Sequence, residues 1–192
     1  LLRRILKNRG EVMFLFEKFQ LGDGRECKLI LPETKYAEEM YNIIDNERER
    51  LGEYLPWVHS LKSAEEEKKV IKDILQQMLE KKMFILMILV DDEVAGMVDL
   101  HEIKINVRAE VGYWLSGEYE GLGIITRSVE YLTEYAFTEL NLHKLTILVQ
   151  TENAKSAAVP KRLDFLKEGV LVEHELSNGE FVSLDLYSKI NY

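Results

Sequence analysis

Ala109-Glu110-Val111-Gly112-Tyr113-Trp114-Leu115-Ser116 runs into Gly117-Glu118-Tyr119-Glu120-Gly121-Leu122-Gly123-Ile124-Ile125-Thr126, and an amphipathic run follows to Leu140. The first segment reads as a strand, being apolar, aromatic and β-branched and closed by Ser and Gly. The last reads as a helix: Ile125, Val129, Leu132, Ala136 and Leu140 recur at helical spacing, with Arg127, Glu130 and Glu134 on the other side. Between them a glycine turn delivers backbone N–H groups to a helix start. First-turn amides have no intrahelical partner, and the helix dipole there favours negative charge, so the turn suits a phosphate. It is not a Walker loop, because Gly123 is followed by Ile rather than Lys. Nor is it a Rossmann fingerprint: position 126 is Thr, and the supporting strand comes late in the chain.

Around this centre the chain reads as an α/β domain. Phe14–Gln20 and Lys28–Leu31 flank the turn signal Gly22-Asp23-Gly24, and Pro32 ends the second strand. A helix follows with Tyr36, Met40, Ile43 and Ile44 as its stripe. Ser63-Ala64-Glu65-Glu66 is a capping box, and Val70, Ile71, Ile74, Leu75, Met78 and Leu79 form the expected buried stripe of the helix it opens. Phe84–Val90 is apolar throughout, which implies a sheet covered on both faces. Strands over Val94–His101, His143–Thr151, Val170–Leu176 and Phe181–Lys189 complete the pattern, with a helix over Asn153–Leu163 and a hairpin turn at Asn178-Gly179. The expectation is a mixed, mostly antiparallel sheet of about seven strands.

The 192 residues suit one domain, 46% hydrophobic and 31% charged. No apolar run reaches the ~20 residues that span a bilayer. One cysteine, Cys27, excludes an internal disulfide and reads as a buried structural thiol. No second His or Cys stands at ligand spacing from His101, so no metal is expected. Residues 1–12 carry Arg3, Arg4, Lys7 and Arg9 against Glu11, so of the overall charge of −9 the remainder, 13–192, holds −12. The basic start reads as an extension to a domain spanning 13–192; it lacks the apolar region of a signal peptide, and a cytoplasmic location is expected. An acidic domain attracts cationic acceptors rather than nucleic acid.

The order of motifs from about Met83 onward resembles the GNAT superfamily of acetyl-coenzyme A-dependent N-acetyltransferases, in particular its RimJ/RimL group, which acetylates the N-termini of ribosomal proteins. Glu120-Gly121-Leu122-Gly123-Ile124-Ile125-Thr126 is similar to the family's pyrophosphate loop, in which Gln or Arg, two residues, Gly, one residue, and Gly or Ala succeed one another. Asn153-Ala154-Lys155-Ser156-Ala157-Ala158-Val159 with Arg162 and Phe165 looks like its Asn-x-x-Ser-x-x-Val…Arg-x-x-Phe helix. The resemblance implies a splayed central strand pair, helices on both sheet faces, and acetyl-coenzyme A as co-substrate. It implies cofactor contacts at Trp114, Leu115, Gly121, Leu122, Gly123, Ile124, Ile125, Thr126 and Asn153. It places Glu175 as general base, Ser156 as proton donor to the leaving thiolate, and Glu110 on the central strand as the rival base. Tyr54 and Trp57 lie in the loop that covers the acceptor entrance in similar enzymes; from sequence alone, core packing is the competing reading for both. Asn153 also suits a helix cap.

The family pattern is broken at four positions. Glu120 stands where Gln or Arg is usual, Pro160 falls inside a helix, Asp164 replaces a helix-ending glycine, and Ser183 replaces an aspartate. A protein N-terminal acetyltransferase, a small-amine acetyltransferase acting on a polyamine or aminoglycoside-like compound, and a non-catalytic acyl-coenzyme A-binding module all remain open, as does a homodimer.

Overall fold

The computed structural model describes residues 4–8 and 11–192, with side chains from Phe14 onward. Among the described residues nine strands form one sheet: β1 (Arg4–Asn8), β2 (Glu11–Gln20), β3 (Glu26–Ile30), β4 (Phe84–Val90), β5 (Glu93–Lys104), β6 (Arg108–Leu115), β7 (Lys144–Gln150), β8 (Leu166–Ser177) and β9 (Glu180–Ile190). Their order across the sheet is β1-β2-β3-β4-β5-β6-β7-β9-β8. Of the expected extension over residues 1–12, the backbone of 4–8, 11 and 12 is described. The backbone of Arg4–Asn8 pairs antiparallel with β2, from Arg4 opposite Leu15 to Asn8 opposite Glu11, and supplies a strand that sequence reading did not anticipate.

Every pairing is antiparallel except β6 with β7. A parallel pair needs a crossover, and here it is α4 (Ile124–Thr138), entered through the glycine turn. The other helices are α1 (Ala37–Asn46), α2 (Arg48–Gly52), α3 (Ala64–Leu79) and α5 (Ala154–Arg162).

Strand β4 shows why the sheet must be covered on both faces. Alternate side chains point to opposite sides of a strand. Leu86, Ile88 and Val90 enter a core shared with Val129, Leu132 and Ala136 of α4 and Ala157 and Val159 of α5. Ile85, Met87 and Leu89 enter a second core with Met40 and Ile44 of α1, Leu51 of α2, and Val58 and Leu61. Burial of one such side chain contributes about 1.5–3 kcal/mol, so a polar residue anywhere on β4 is costly.

The stripe expected on α3 is only partly buried. Ile71 is fully buried, but Val70 and Leu79 face solvent, and the buried position one turn before Ile71 is Glu67. Here tertiary packing set the buried face, not apolarity alone. Ser63 caps the helix as expected, its Oγ accepting the Glu66 N–H at 3.2 Å. The other half of the box is displaced by one residue: Glu66 accepts from the N–H of Lys62, not from that of Ser63.

Candidate active site

Strands β6 and β7 pair only where Arg108, Ala109 and Glu110 face Lys144, Leu145 and Thr146. Beyond Glu110 they diverge, while β6 stays paired to β5 up to Leu115. One backbone edge of Val111–Leu115 therefore faces a gap rather than a strand. The glycine turn stands at the β6 end of that gap. Gly121 and Gly123 take φ +80° and +76°, the left-handed region that a side chain disfavours. Gly123 occupies the N-cap of α4 without a side-chain cap, and the first helix N–H to find a carbonyl beyond the turn is that of Arg127, at 3.1 Å from Gly123. The N–H groups of 121–126 donate to no group among the described residues. Leu122, Gly123, Ile124, Ile125 and Thr126 thus form a row of unpaired donors at a helix N-terminus, with bare backbone at Gly123.

Glu120 does not leave an uncompensated carboxylate beside this row of N–H groups. Its Oε1 accepts from Arg50 Nη1 at 2.8 Å and its Oε2 from Lys155 Nζ at 2.7 Å. Arg50 also donates to the Leu115 carbonyl at 2.8 Å and pairs with Glu47. Glu47 in turn accepts from Ser116 Oγ at 2.6 Å and from the Gly117 N–H. These bonds hold its carboxyl below the usual range despite the opposing effect of burial, which is the largest single influence on it. The α1–α2 junction is thereby fixed to the end of β6. Trp114 packs its ring into the core beneath α1 and α2, so its open edge toward the gap is backbone.

Across the gap, Asn153 caps α5, Oδ1 accepting the Ser156 N–H at 2.9 Å. Ser156 Oγ donates to Tyr113 Oη at 3.0 Å, and Tyr113 donates to the Ser156 carbonyl at 3.0 Å. Burial pushes the Tyr113 phenol up to about 12. The carbonyl is available because Pro160, four residues on, has no N–H to give it. Sequence reading registered Pro160 as a helix defect and passed over Tyr113. The available signal was that an interior proline frees the carbonyl one turn earlier.

Asp164 and Ser183 also fit their places. Asp164 takes φ +57°, the left-handed conformation that favours glycine, and the Phe165 N–H returns to the Pro160 carbonyl at 2.9 Å to close α5. Ser183 Oγ accepts the Glu173 N–H at 3.0 Å, in the irregular stretch where β8 shifts register against β9.

The opposite sheet face carries the candidate bases. Cross-strand partners share a face. Register links Glu110 to Thr146, Thr146 to Ser188, and, at alternate positions of β9, Val182 to Glu175. Glu110 and Glu175 therefore lie on the same face, Glu175 exposed on the edge strand and Glu110 partly buried at the centre. Glu110 is engaged: His101 bridges it at 3.3 Å to Asp99, whose Oδ1 is 2.7 Å from His101 Nδ1. The hydrogen bonds to Asp99 and then Glu110 raise His101 to about 10, so at neutral pH it is an imidazolium between two carboxylates. Gly112 makes room for this cluster, since a Cβ there would sit 2.6 Å from Asp99.

The loop after α2 borders this face. Asn178, in the β8–β9 turn, donates to the Gly52 carbonyl at 2.9 Å. Tyr54 is half-buried and Trp57 is 44% exposed, so Trp57 does not pack into the core. Cys27 is fully buried and its thiol is pushed to about 12, which leaves it unreactive. Among the described residues no group of three His, Cys, Asp or Glu side chains could hold a metal, and no helix is long and apolar enough to cross a membrane.

Residues 28–166 match the acetyltransferase (GNAT) domain family. The chain is 36% identical over 160 residues to a Bacillus subtilis protein named "Putative ribosomal N-acetyltransferase YdaF", covering 82% of this chain and 87% of the relative. It is 29% identical over 158 residues to the ribosomal-protein-serine acetyltransferase of Escherichia coli, covering 81% and 87%. Among solved structures, the microcin C7 self-immunity acetyltransferase MccE in complex with acetyl-CoA and AMP superposes with a TM-score of 0.82 at 29% identity, covering 86% of this chain and 92% of that one.

Proposed function

The chain belongs to the GNAT acetyltransferase family, and from that premise we propose that it moves the acetyl group of acetyl-coenzyme A to the N-terminal α-amine of a ribosomal protein. The observation that carries the acetyl-transfer chemistry is the unpaired N–H row of the glycine turn standing at the mouth of the β6–β7 gap. The acceptor class is supported by similarity to relatives named for ribosomal proteins over four-fifths of the chain.

An acetyl thioester is already activated, so the protein supplies no nucleophile of its own. The neutral amine attacks the carbonyl carbon, a C–N bond forms, and the C–S bond breaks as the tetrahedral oxyanion collapses. The amine proton leaves through water to Glu175, and Ser156 donates to the departing sulfur. Glu175 suits the first task because it is exposed on the face that Asn178 ties to the acceptor loop, and because Glu110 is already engaged by His101. Asn153 and the backbone of Trp114 and Leu115 line the route proposed for the pantetheine arm. Tyr54 and Trp57 border the acceptor.

The test is a mass-spectrometric assay with acetyl-coenzyme A and three acceptors: a basic peptide with a free N-terminal serine, the same peptide blocked at its N-terminus but bearing lysine, and spermidine. Acetylation confined to the free α-amine is expected. Acetylation of spermidine alone would replace this reading with the small-amine one. In the peptide assay, Glu175→Gln lowers kcat by about 10²–10⁴, the range for a general base, with acetyl-coenzyme A affinity unchanged. A collapse of turnover in Glu110→Gln but not in Glu175→Gln would move the base to the central strand.

A further inference from the structure

We infer that Tyr113 is a positioning residue for Ser156, and that Pro160 makes it one. The inference rests on the reading of Ser156 as proton donor to the leaving thiolate. A serine hydroxyl at the start of a helix ordinarily has several rotamers and several acceptors to choose among, including backbone carbonyls one turn back. Here its choice is fixed from outside the helix. Tyr113 reaches from β6, across the gap where the two strands part, to the first turn of α5. The two hydroxyls and the carbonyl form a closed arrangement with defined polarity: Ser156 Oγ donates to Tyr113 Oη, and Tyr113 Oη donates to the Ser156 carbonyl.

The last of these bonds depends on a missing donor. In an unbroken helix, the N–H of residue 160 would take the carbonyl of residue 156. Proline at 160 cannot, so that carbonyl is left for the phenol. A proline in a helix interior is normally costly, and here the cost is partly offset by the Tyr113 bond. With the phenol proton directed at the carbonyl, the Tyr113 oxygen presents a lone pair to Ser156, and the serine hydroxyl is held on the β6 side of α5, facing the gap. Burial keeps Tyr113 protonated, so this polarity persists across the working pH range. When the thiolate forms, Ser156 needs only to turn its O–H from the phenol to the sulfur. The proton passes from Ser156 to sulfur and is returned to the serine by water. Tyr113 itself transfers none.

Single-turnover acetylation of a free-N-terminal peptide tests this with Tyr113→Phe, Ser156→Ala, the double variant, and Pro160→Ala. Tyr113→Phe is expected to lower the rate about three- to tenfold, the size of one net hydrogen bond, with KM for acetyl-coenzyme A unchanged. In the Ser156→Ala background the same substitution should have no further effect, because Tyr113 acts only through Ser156. Pro160→Ala restores a helix donor to the Ser156 carbonyl. It should raise the melting temperature yet lower the rate, and that rate loss should vanish when Tyr113 is already Phe. A Tyr113→Phe loss of equal size in both backgrounds would reveal a structural role and overturn the inference. A Pro160→Ala loss that survives Tyr113→Phe would overturn the part assigned to proline. No rate loss in Ser156→Ala would overturn the serine reading and this inference with it. A loss in Ser156→Ala with additive Tyr113→Phe would overturn this inference alone.

Discussion

Glu120 and Arg50 meet at 2.8 Å, seventy residues apart in the chain, and Lys155 closes on the other carboxylate oxygen at 2.7 Å. A residue that in sequence looks hostile to a pyrophosphate is, in the fold, the anchor for two cations beside it. Repulsion from Glu120 is therefore largely neutralised, and what its removal changes is the freedom of Arg50 and Lys155. Both pairs are partly exposed, so each is worth little at high salt. Glu120→Gln is expected to tighten coenzyme A binding about two- to fivefold at low salt and negligibly in 1 M salt. Calorimetric titration at the two ionic strengths reads this out. Equal affinities for variant and parent at low salt would mean that the freed cations do not reach the phosphates.

The glycine turn can be tested without disturbing packing. A Cβ at Gly123 would meet nothing within 4 Å, so Gly123→Ala carries only the strain of φ +76°. That strain is about 1–2 kcal/mol, and a small drop in melting temperature should follow, with the acetyl-coenzyme A-induced rise retained. Gly123→Pro cannot take that φ and also removes a donor, so it should abolish the ligand-induced rise. An unaltered rise in Gly123→Pro would place the pyrophosphate elsewhere.

His101 gives a signed pH dependence. Asp99 first, and Glu110 second, raise its folded pKa to about 10, above the value of about 6.5 for an unpaired histidine. The folded state then holds a proton that the unfolded chain loses between these values. The contribution is complete below pH 6.5, falls as pH rises, and is gone above pH 10. His101→Gln should therefore destabilise the protein at pH 6 and much less at pH 10.5. A destabilisation of the same size at both would show that the imidazolium charge is not what holds the cluster.

Glu67 runs the other way from a typical carboxylate. It is 3% exposed on α3, and desolvation raises it to about 7. The folded state binds the proton more tightly than the unfolded chain, so stability declines as pH rises from about 4.5 to 7 and stays reduced above that. Glu67→Gln removes the ionisable group and should stabilise the protein at pH 8 by up to about 3 kcal/mol, with little effect near pH 4.5. Denaturant melts at the two pH values decide it. A variant less stable than the parent at pH 8 would mean that the ionised carboxylate is favourably held.

The sequence by itself determined most of the elements and the centre of the fold, but not the edge strand Arg4–Asn8. The unbroken apolar run of Phe84–Val90, the Ser63 cap and the strand–glycine–helix run over Ala109–Leu140 depend on near neighbours and on backbone sterics, which are local properties written residue by residue. Motif order along the chain carried the family. What required the tertiary structure was the partner of each polar group. Glu120 found Arg50 and Lys155, His101 found Asp99 and Glu110, and the carbonyl freed by Pro160 found Tyr113. Glu67 and Val70 exchanged their expected burial because the packing of α3 decides which of its positions the protein covers. Charge and hydrogen-bond energies depend on what lies within a few ångströms in space, and residues 43 or 70 apart in sequence reach that distance only once the sheet has formed.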